Sequence, residues 1–193
     1  MTSAPTEIAI EVGLDPAVFK GAMSAIPSPV AVVTALGDRP HGTTVSAFAS
    51  LSLDPPMVLI SLQTSSALLP VIRQTGHFGL NVLAHGQAAA ATTFARRGVD
   101  RFGQVDWSVS ARVPKLAGVA SWTACSVAGL IPAGDHVIVT GLVEAAEHAQ
   151  VPGLVYQHHG FGSFVADADA PSSAGAFPDL VYQHRSFGAF VTD

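Results

Sequence analysis

Residues 41–62 read HGTTVSAFASLSLDPPMVLISL. Thr43, Thr44, Ser46, Ser50 and Ser52 recur among small apolar residues until Asp54-Pro55-Pro56 interrupts, and a strand returns at once as Met57-Val58-Leu59-Ile60. An ordinary core strand buries larger residues and fewer hydroxyls. Here hydroxyls and backbone amides lie along a run with almost no charge. Such a run suits a neutral, flat, polar-edged ligand held by hydrogen bonds rather than ion pairs. A Ser/Thr-rich strand and turn with no ligand fits the same residues.

Working outward, Asp15-Pro16 supplies an N-cap and a proline at the first helical position. Val18, Phe19, Ala22 and Met23 give a helical stripe up to Ile26, stopped by Pro27 and Pro29. Val30 to Leu36 is an apolar β run followed by a turn at Gly37-Asp38-Arg39-Pro40. Two strands are expected around the Pro-Pro corner. Ala67 to Thr75 reads as a helix closed by Gly76, Phe78 to Leu83 as a strand and Gln87 to Arg97 as an Ala-rich helix. Gly98 to Val113 reads as irregular. Ser121 to Leu130 and His136 to Glu147 read as long strands joined by Pro132-Ala133-Gly134-Asp135. Six or more strands with few helices between them predict a mainly β, antiparallel barrel rather than a doubly wound sheet. No Gly-x-Gly-x-x-Gly follows a strand and no Gly-x-Ser-x-Gly elbow occurs, so neither a Rossmann nucleotide site nor a hydrolase triad is expected.

At 193 residues the chain is long enough for one domain with an ample core. Asp, Glu, Lys and Arg make up 12% of it, little for a chain covering its own surface, which predicts apolar surface buried in a homodimer. A formal charge of -5 argues against nucleic acid, whose phosphates need a basic stripe. No apolar run reaches the roughly 18 residues of a spanning helix, so no membrane partner is expected. The start, MTSAPTEIAIEVG, has no basic n-region or long apolar h-region. Lone Cys125, in an apolar strand, reads as an inert core thiol, and the simplest address is cytoplasmic. His158-His159 point different ways on a strand and lack further ligands at metal spacing, so no metal site is expected.

The end of the chain repeats itself. Leu154-Val155-Tyr156-Gln157-His158 recurs as Leu180-Val181-Tyr182-Gln183-His184, and Phe161-Gly162 and Phe164-Val165 recur as Phe187-Gly188 and Phe190-Val191, at an offset of 26 residues. Ala166 to Pro178, rich in Ala, Ser, Asp and Pro, reads as a linker. The expected organisation is an arm over 1–14, a domain over 15–166, and a linker with the second copy over 167–193. That copy is either a docking strand, a lid on the site, or a passenger.

The opening block resembles the flavin reductase family, small split-barrel proteins that supply reduced flavin to two-component monooxygenases. Gly42, Thr44, Val45, Ser46, Ala49, Ser50, Pro55 and Pro56 fall close to the family's Gly-x-Thr-x-x-Ser-x-x-Ser-x-x-x-x-Pro-Pro pattern. Phe78-Gly79-Leu80-Asn81-Val82-Leu83, then Asp100-Arg101-Phe102 leading to Trp107, then Gly134-Asp135-His136 agree in order and spacing. The resemblance covers about residues 15 to 165 and implies a split β-barrel of FMN-binding type. It implies an NAD(P)H:flavin oxidoreductase using FMN or FAD with NADH or NADPH, passing reduced flavin to a partner monooxygenase by diffusion. The alternative is a non-catalytic flavin carrier on the same barrel.

The resemblance also implies site residues. Thr44, Val45, Ser46, Ser50, Leu51, Ser52 and Ser61 would meet the isoalloxazine. Ser65 and Ser66, just before a helix, would hold the phosphate end; simple helix capping is the alternative. Family members often carry a hydroxyl where this chain has Leu68, which leaves FMN against FAD open. Asn81, mid-strand, needs partners from a ligand or from neighbouring backbone; the family places it toward the cofactor. Phe102, Gly134, Asp135 and Tyr156 would complete the flavin pocket, and His136 would position the nicotinamide. Arg96, Arg97 and Arg101 either meet a phosphate or form a solvated helix end.

Overall fold

The computed structural model describes residues 13–166 and 188–192. Most of the expected arm and all of the second copy before Gly188 therefore lie outside the described residues. In chain order the elements are α1 (Pro16–Ser24), β1 (Ser28–Pro29), β2 (Ala31–Leu36), β3 (Pro40–Val45), β4 (Phe48–Leu53), β5 (Pro56–Gln63), α2 (Leu68–Thr75), β6 (His77–Val82) and α3 (Ala88–Ala95). A short 3-10 turn at Phe102–Gln104 leads to β7 (Trp107–Ser110), β8 (Val113–Leu116), β9 (Ser121–Ala133), β10 (His136–His148), β11 (Leu154–Gln157), β12 (Gly160–Ala166) and β13 (Gly188–Thr192).

Seven strands form one antiparallel sheet in the order β3-β2-β6-β9-β10-β5-β4. No ladder joins edge strands β3 and β4, so the expected barrel is open along that seam; Ser61 N, donating to Ala47 O at 2.9 Å, extends the β4–β5 ladder. β2 explains its own continuous apolar sequence. Ala31, Val33 and Ala35 face a core with Ile60, Phe78, Val139 and α2's Leu69 and Ile72. Val30 and Val32 face a second core with Leu83, α3's Phe94, Leu116 and Leu154. A strand covered on both faces reads as an unbroken apolar run. α2 ends as expected at Gly76, whose φ of 70° satisfies the left-handed cap.

Two expectations are corrected. The hydroxyl block spans three strands rather than two, because Ser46-Ala47 separates β3 from β4. The stretch read as irregular holds the 3-10 turn and a β7–β8 hairpin; Pro114 within β8 hid a strand too short to show its alternation. Helix α1 forms where expected, with Asp15 Oδ1 accepting from Ala17 N at 2.8 Å, yet none of its residues is buried.

Candidate functional site

A cavity of about 680 Å³ opens beside β3. One wall is β3 and its turn, His41 to Ala47; the second is the end of β5, Ser61 to Gln63, running into Ser65 to Leu68 at the start of α2. Ala95 at the end of α3, with Arg97, Gly98 and Arg101 beyond it, forms the third, and His136 closes the side at the start of β10. The register His136↔Gln63 puts that histidine beside the end of β5. The turn before it is pinned there, since Thr64 donates to Asp135 O from its backbone N at 2.9 Å and its Oγ1 at 3.2 Å.

The third wall is held by close packing and one arginine. A Cβ on Gly42 would lie 2.8 Å from Phe94 Cε1, so only glycine lets α3 lie this close to β3. Thr44 Oγ1 donates to Ala91 O at 2.6 Å, tying the same two elements. Arg101 donates from Nη1 to Gly42 O at 2.5 Å and from Nε to Arg96 O at 2.9 Å, and Nη2 also meets Arg96 O. Phe102 stands edge-on to Phe94 and Trp107, at 5.1 and 5.2 Å between ring centres. His41 is held below imidazole's ordinary 6.5, first by burial and then by the cations of Arg39 and Arg101. The His136 bond, Nδ1 to Asp135 Oδ1 at 2.7 Å, keeps the Asp135 carboxyl below its usual range, aided by the imidazole's charge.

The structure brings Thr44, Val45, Ser46, Ser61, Ser65, Ser66 and His136 together around this cavity. It does not bring the other expected residues to its walls. Asn81 is fully buried, and its partners are protein: Oδ1 accepts from Leu116 N at 2.8 Å, and Nδ2 donates to Val32 O at 3.1 Å and Thr34 Oγ1 at 3.2 Å. Neighbouring backbone and a hydroxyl, not a ligand, satisfy it. Phe102 is an aromatic wedge behind the wall. Ser50, Leu51 and Ser52 lie on edge strand β4, where a register shift between Ser50 and Ser52 breaks the alternation. Gly134 and Asp135 shape the turn that carries His136. Tyr156 belongs to the other sheet, paired opposite Ser28 with its ring 5.1 Å from Phe161. Ser66 Oγ also accepts from Leu68 N at 3.3 Å, so its capping role is real even as it lines the cavity. His41 and Gln63 were not anticipated. The alternation of β3 does not reveal His41, because consecutive residues from His41 to Val45 line the cavity.

Residues 23–164 match the flavin reductase like domain. The chain belongs to this family. Among its relatives is a "Probable flavin reductase" of Rhizobium meliloti, 41% identical over 65% of this chain; this chain spans 41% of that protein's length. The stachydrine N-demethylase reductase subunit Stc3 of the same organism is 37% identical over 83% of this chain and 71% of its own. Among solved structures, the NADH:FAD oxidoreductase SgcE6 of Streptomyces globisporus C-1027, in complex with NAD and FAD fragments, superposes with a TM-score of 0.77 at 33% identity, over 80% of this chain and 96% of its own. The cavity of this family member fits a flavin on its own chemistry. Its described lining includes Thr43, Ser46 and Ser61, Ser65 and Ser66, and Arg97 and Arg101, residue types suited to a neutral polar ring and an anionic group. No carboxylate stands among the described lining residues to repel a phosphate.

Proposed function

We propose that this chain is an NAD(P)H:flavin oxidoreductase that reduces FMN or FAD and supplies the reduced flavin to a partner monooxygenase. The observation that carries this reading is the cavity: a neutral hydroxyl wall and a cationic end, with no carboxylate among its described lining. Kinship with a demethylase reductase subunit and with an NADH:FAD oxidoreductase supports it. A bound flavin supplies the electron-accepting chemistry, so the protein needs no nucleophile. Thr43, Ser46 and Ser61 would hold the ring edge, Ser65 and Ser66 at the start of α2 the phosphate, with Arg97 as a further cation. Anaerobic mixing of catalytic protein with excess NADH and FMN, and separately FAD, is expected to bleach the flavin over many turnovers. Binding without turnover would leave a flavin carrier instead.

His136 would position the nicotinamide. A carboxylate only accepts, so the bond to Asp135 assigns a proton to Nδ1; without a second proton on the ring, Nε2 is an acceptor. A nicotinamide carboxamide would then donate its N–H to Nε2. His136→Ala is expected to raise KM for the nicotinamide, or slow flavin reduction, by about tenfold through lost orientation. Flavin affinity is expected to stay near that of the unmodified chain. Collapsed flavin affinity with an unchanged reduction rate would move His136 to the flavin pocket.

The functional unit we propose is a homodimer with flavin at the subunit boundary. Leu53 is 76% exposed, Phe19 54% and Ile131 52%, on a chain poor in charge. Light scattering that gives only the monomer mass at micromolar concentration would overturn this. Among the described residues no helix is long and apolar enough to cross a membrane. We assign the chain to the cytoplasm.

A further inference from the structure

We propose that the C-terminal repeat is a self-complementary strand that occupies, within one chain, the sheet edge at which β12 would otherwise pair with β12 of a second copy. Strand β13 pairs antiparallel with β12, and it is the second copy of β12's own sequence. The ladder sets Gly162 opposite Thr192, Phe164 opposite Phe190 and Ala166 opposite Gly188. At the repeat offset of 26 residues, Phe190 is the equivalent of Phe164, Gly188 of Gly162 and Thr192 of Ala166. Exchanging the two copies therefore maps this ladder onto itself, about a local two-fold axis between Phe164 and Phe190. An antiparallel ladder of two identical strands related by a two-fold axis is an isologous contact, the form that pairs identical chains. β13 offers β12 nearly the same strand, in the same register and direction, as the β12 of another molecule would.

The edge at stake is real. In the four-stranded sheet β1-β11-β12-β13, the side of β12 away from β11 is covered by β13. Uncovered, it would present a row of unpaired N–H and C=O groups, with Phe164 beside them 43% exposed. β13 becomes the new edge, but it has five residues where β12 has seven. A short strand is a usual means of blunting an edge. The intervening residues 167–187 could extend to about 70 Å, ample for pairing within the chain. Tethering then sets an effective concentration on the order of millimolar, which a free competitor must exceed.

The test uses the full chain carrying Phe190→Pro with Val191→Pro. Successive strand residues direct their N–H groups to opposite sides, so one of these prolines removes a donor facing β12. A fluorescein-labelled peptide of residues 187–193, FGAFVTD, is titrated into both proteins without flavin. The variant is expected to bind it about tenfold or more tightly than the unmodified chain, whose edge is already occupied. Light scattering from micromolar to submillimolar protein is expected to show the variant's mass doubling over that of the unmodified chain, with excess peptide reversing it. Equal peptide binding by both proteins, or by neither, together with one shared mass would overturn the proposal. A second full-chain variant, with Gly188–Thr192 replaced by Gly-Ser-Gly-Ser-Gly, repeats both measurements without proline. Flavin affinity, read separately, reports whether the cavity is intact in each.

Discussion

Asn81→Ala is expected to destabilise the protein by about 3 kcal/mol while leaving the flavin affinity of the folded protein unchanged. The amide joins three segments that are far apart in sequence. It accepts from Leu116 N, and donates to Val32 O and to Thr34 Oγ1. Truncation orphans a buried backbone N–H and removes the donor from two acceptors, and an unmet buried polar group costs about 1–3 kcal/mol. Thr34 keeps its own bond to Pro114 O at 2.6 Å, which limits the loss. For a chain of this size, a destabilisation of that order lowers Tm by about 6–12 °C. Thermal unfolding and flavin titration on the same preparation check both halves. A weakened titration with an unmoved Tm would return Asn81 to the ligand.

The same residue shows where sequence reading stops. An Asn inside an apolar strand announces a polar partner, but not whether the partner is a ligand or the chain itself. Its partners sit 35, 47 and 49 residues away, and only the fold puts them there. Features fixed by local chemistry were legible: the Asp15-Pro16 start of α1, the Gly76 close of α2, and the double-sided apolar run of β2. The hydroxyl block was legible as a site at its two ends, Thr44 to Ser46 and Ser61, and not in its middle. Thr44, Val45 and Ser46 reach the cavity, whereas Ser50, Leu51 and Ser52 follow the Ser46-Ala47 turn onto an edge strand. A turn followed by a bulge destroys the parity by which a sequence assigns faces. Of Gly134-Asp135-His136, His136 alone lines the cavity, carried there by a turn that Thr64 pins through Asp135 O. Tyr156 was not, because its sheet is built from β1 at one end of the chain and β11 to β13 at the other.

Arg101→Ala is expected to weaken flavin binding about tenfold, about 1.4 kcal/mol, and Arg101→Lys is expected to do the same. The lysine arm carries the argument. Arg101 lines the cavity, so a direct charge on the flavin phosphate is one way it would act. Each of its three nitrogens, however, already donates, to Arg96 O or, 59 residues away in sequence, to Gly42 O. The rigid guanidinium fork spans the loop after α3 and the strand β3, and thereby holds the two cavity walls at one separation. Lysine keeps the charge but gathers its donors on one atom, so it cannot bridge two carbonyls in that geometry. A clamp therefore fails equally in both variants, and its loss depends little on salt. A phosphate-binding charge would survive as lysine and would weaken steeply as salt rises. Removing Arg101 also removes one of the cations that hold His41 below its ordinary range, but burial, the larger cause, remains. The His41 titration, followed by NMR, should therefore rise only part of the way back in Arg101→Ala. Flavin affinity restored by lysine and lost to salt would make Arg101 a ligand of the phosphate rather than the brace of the wall.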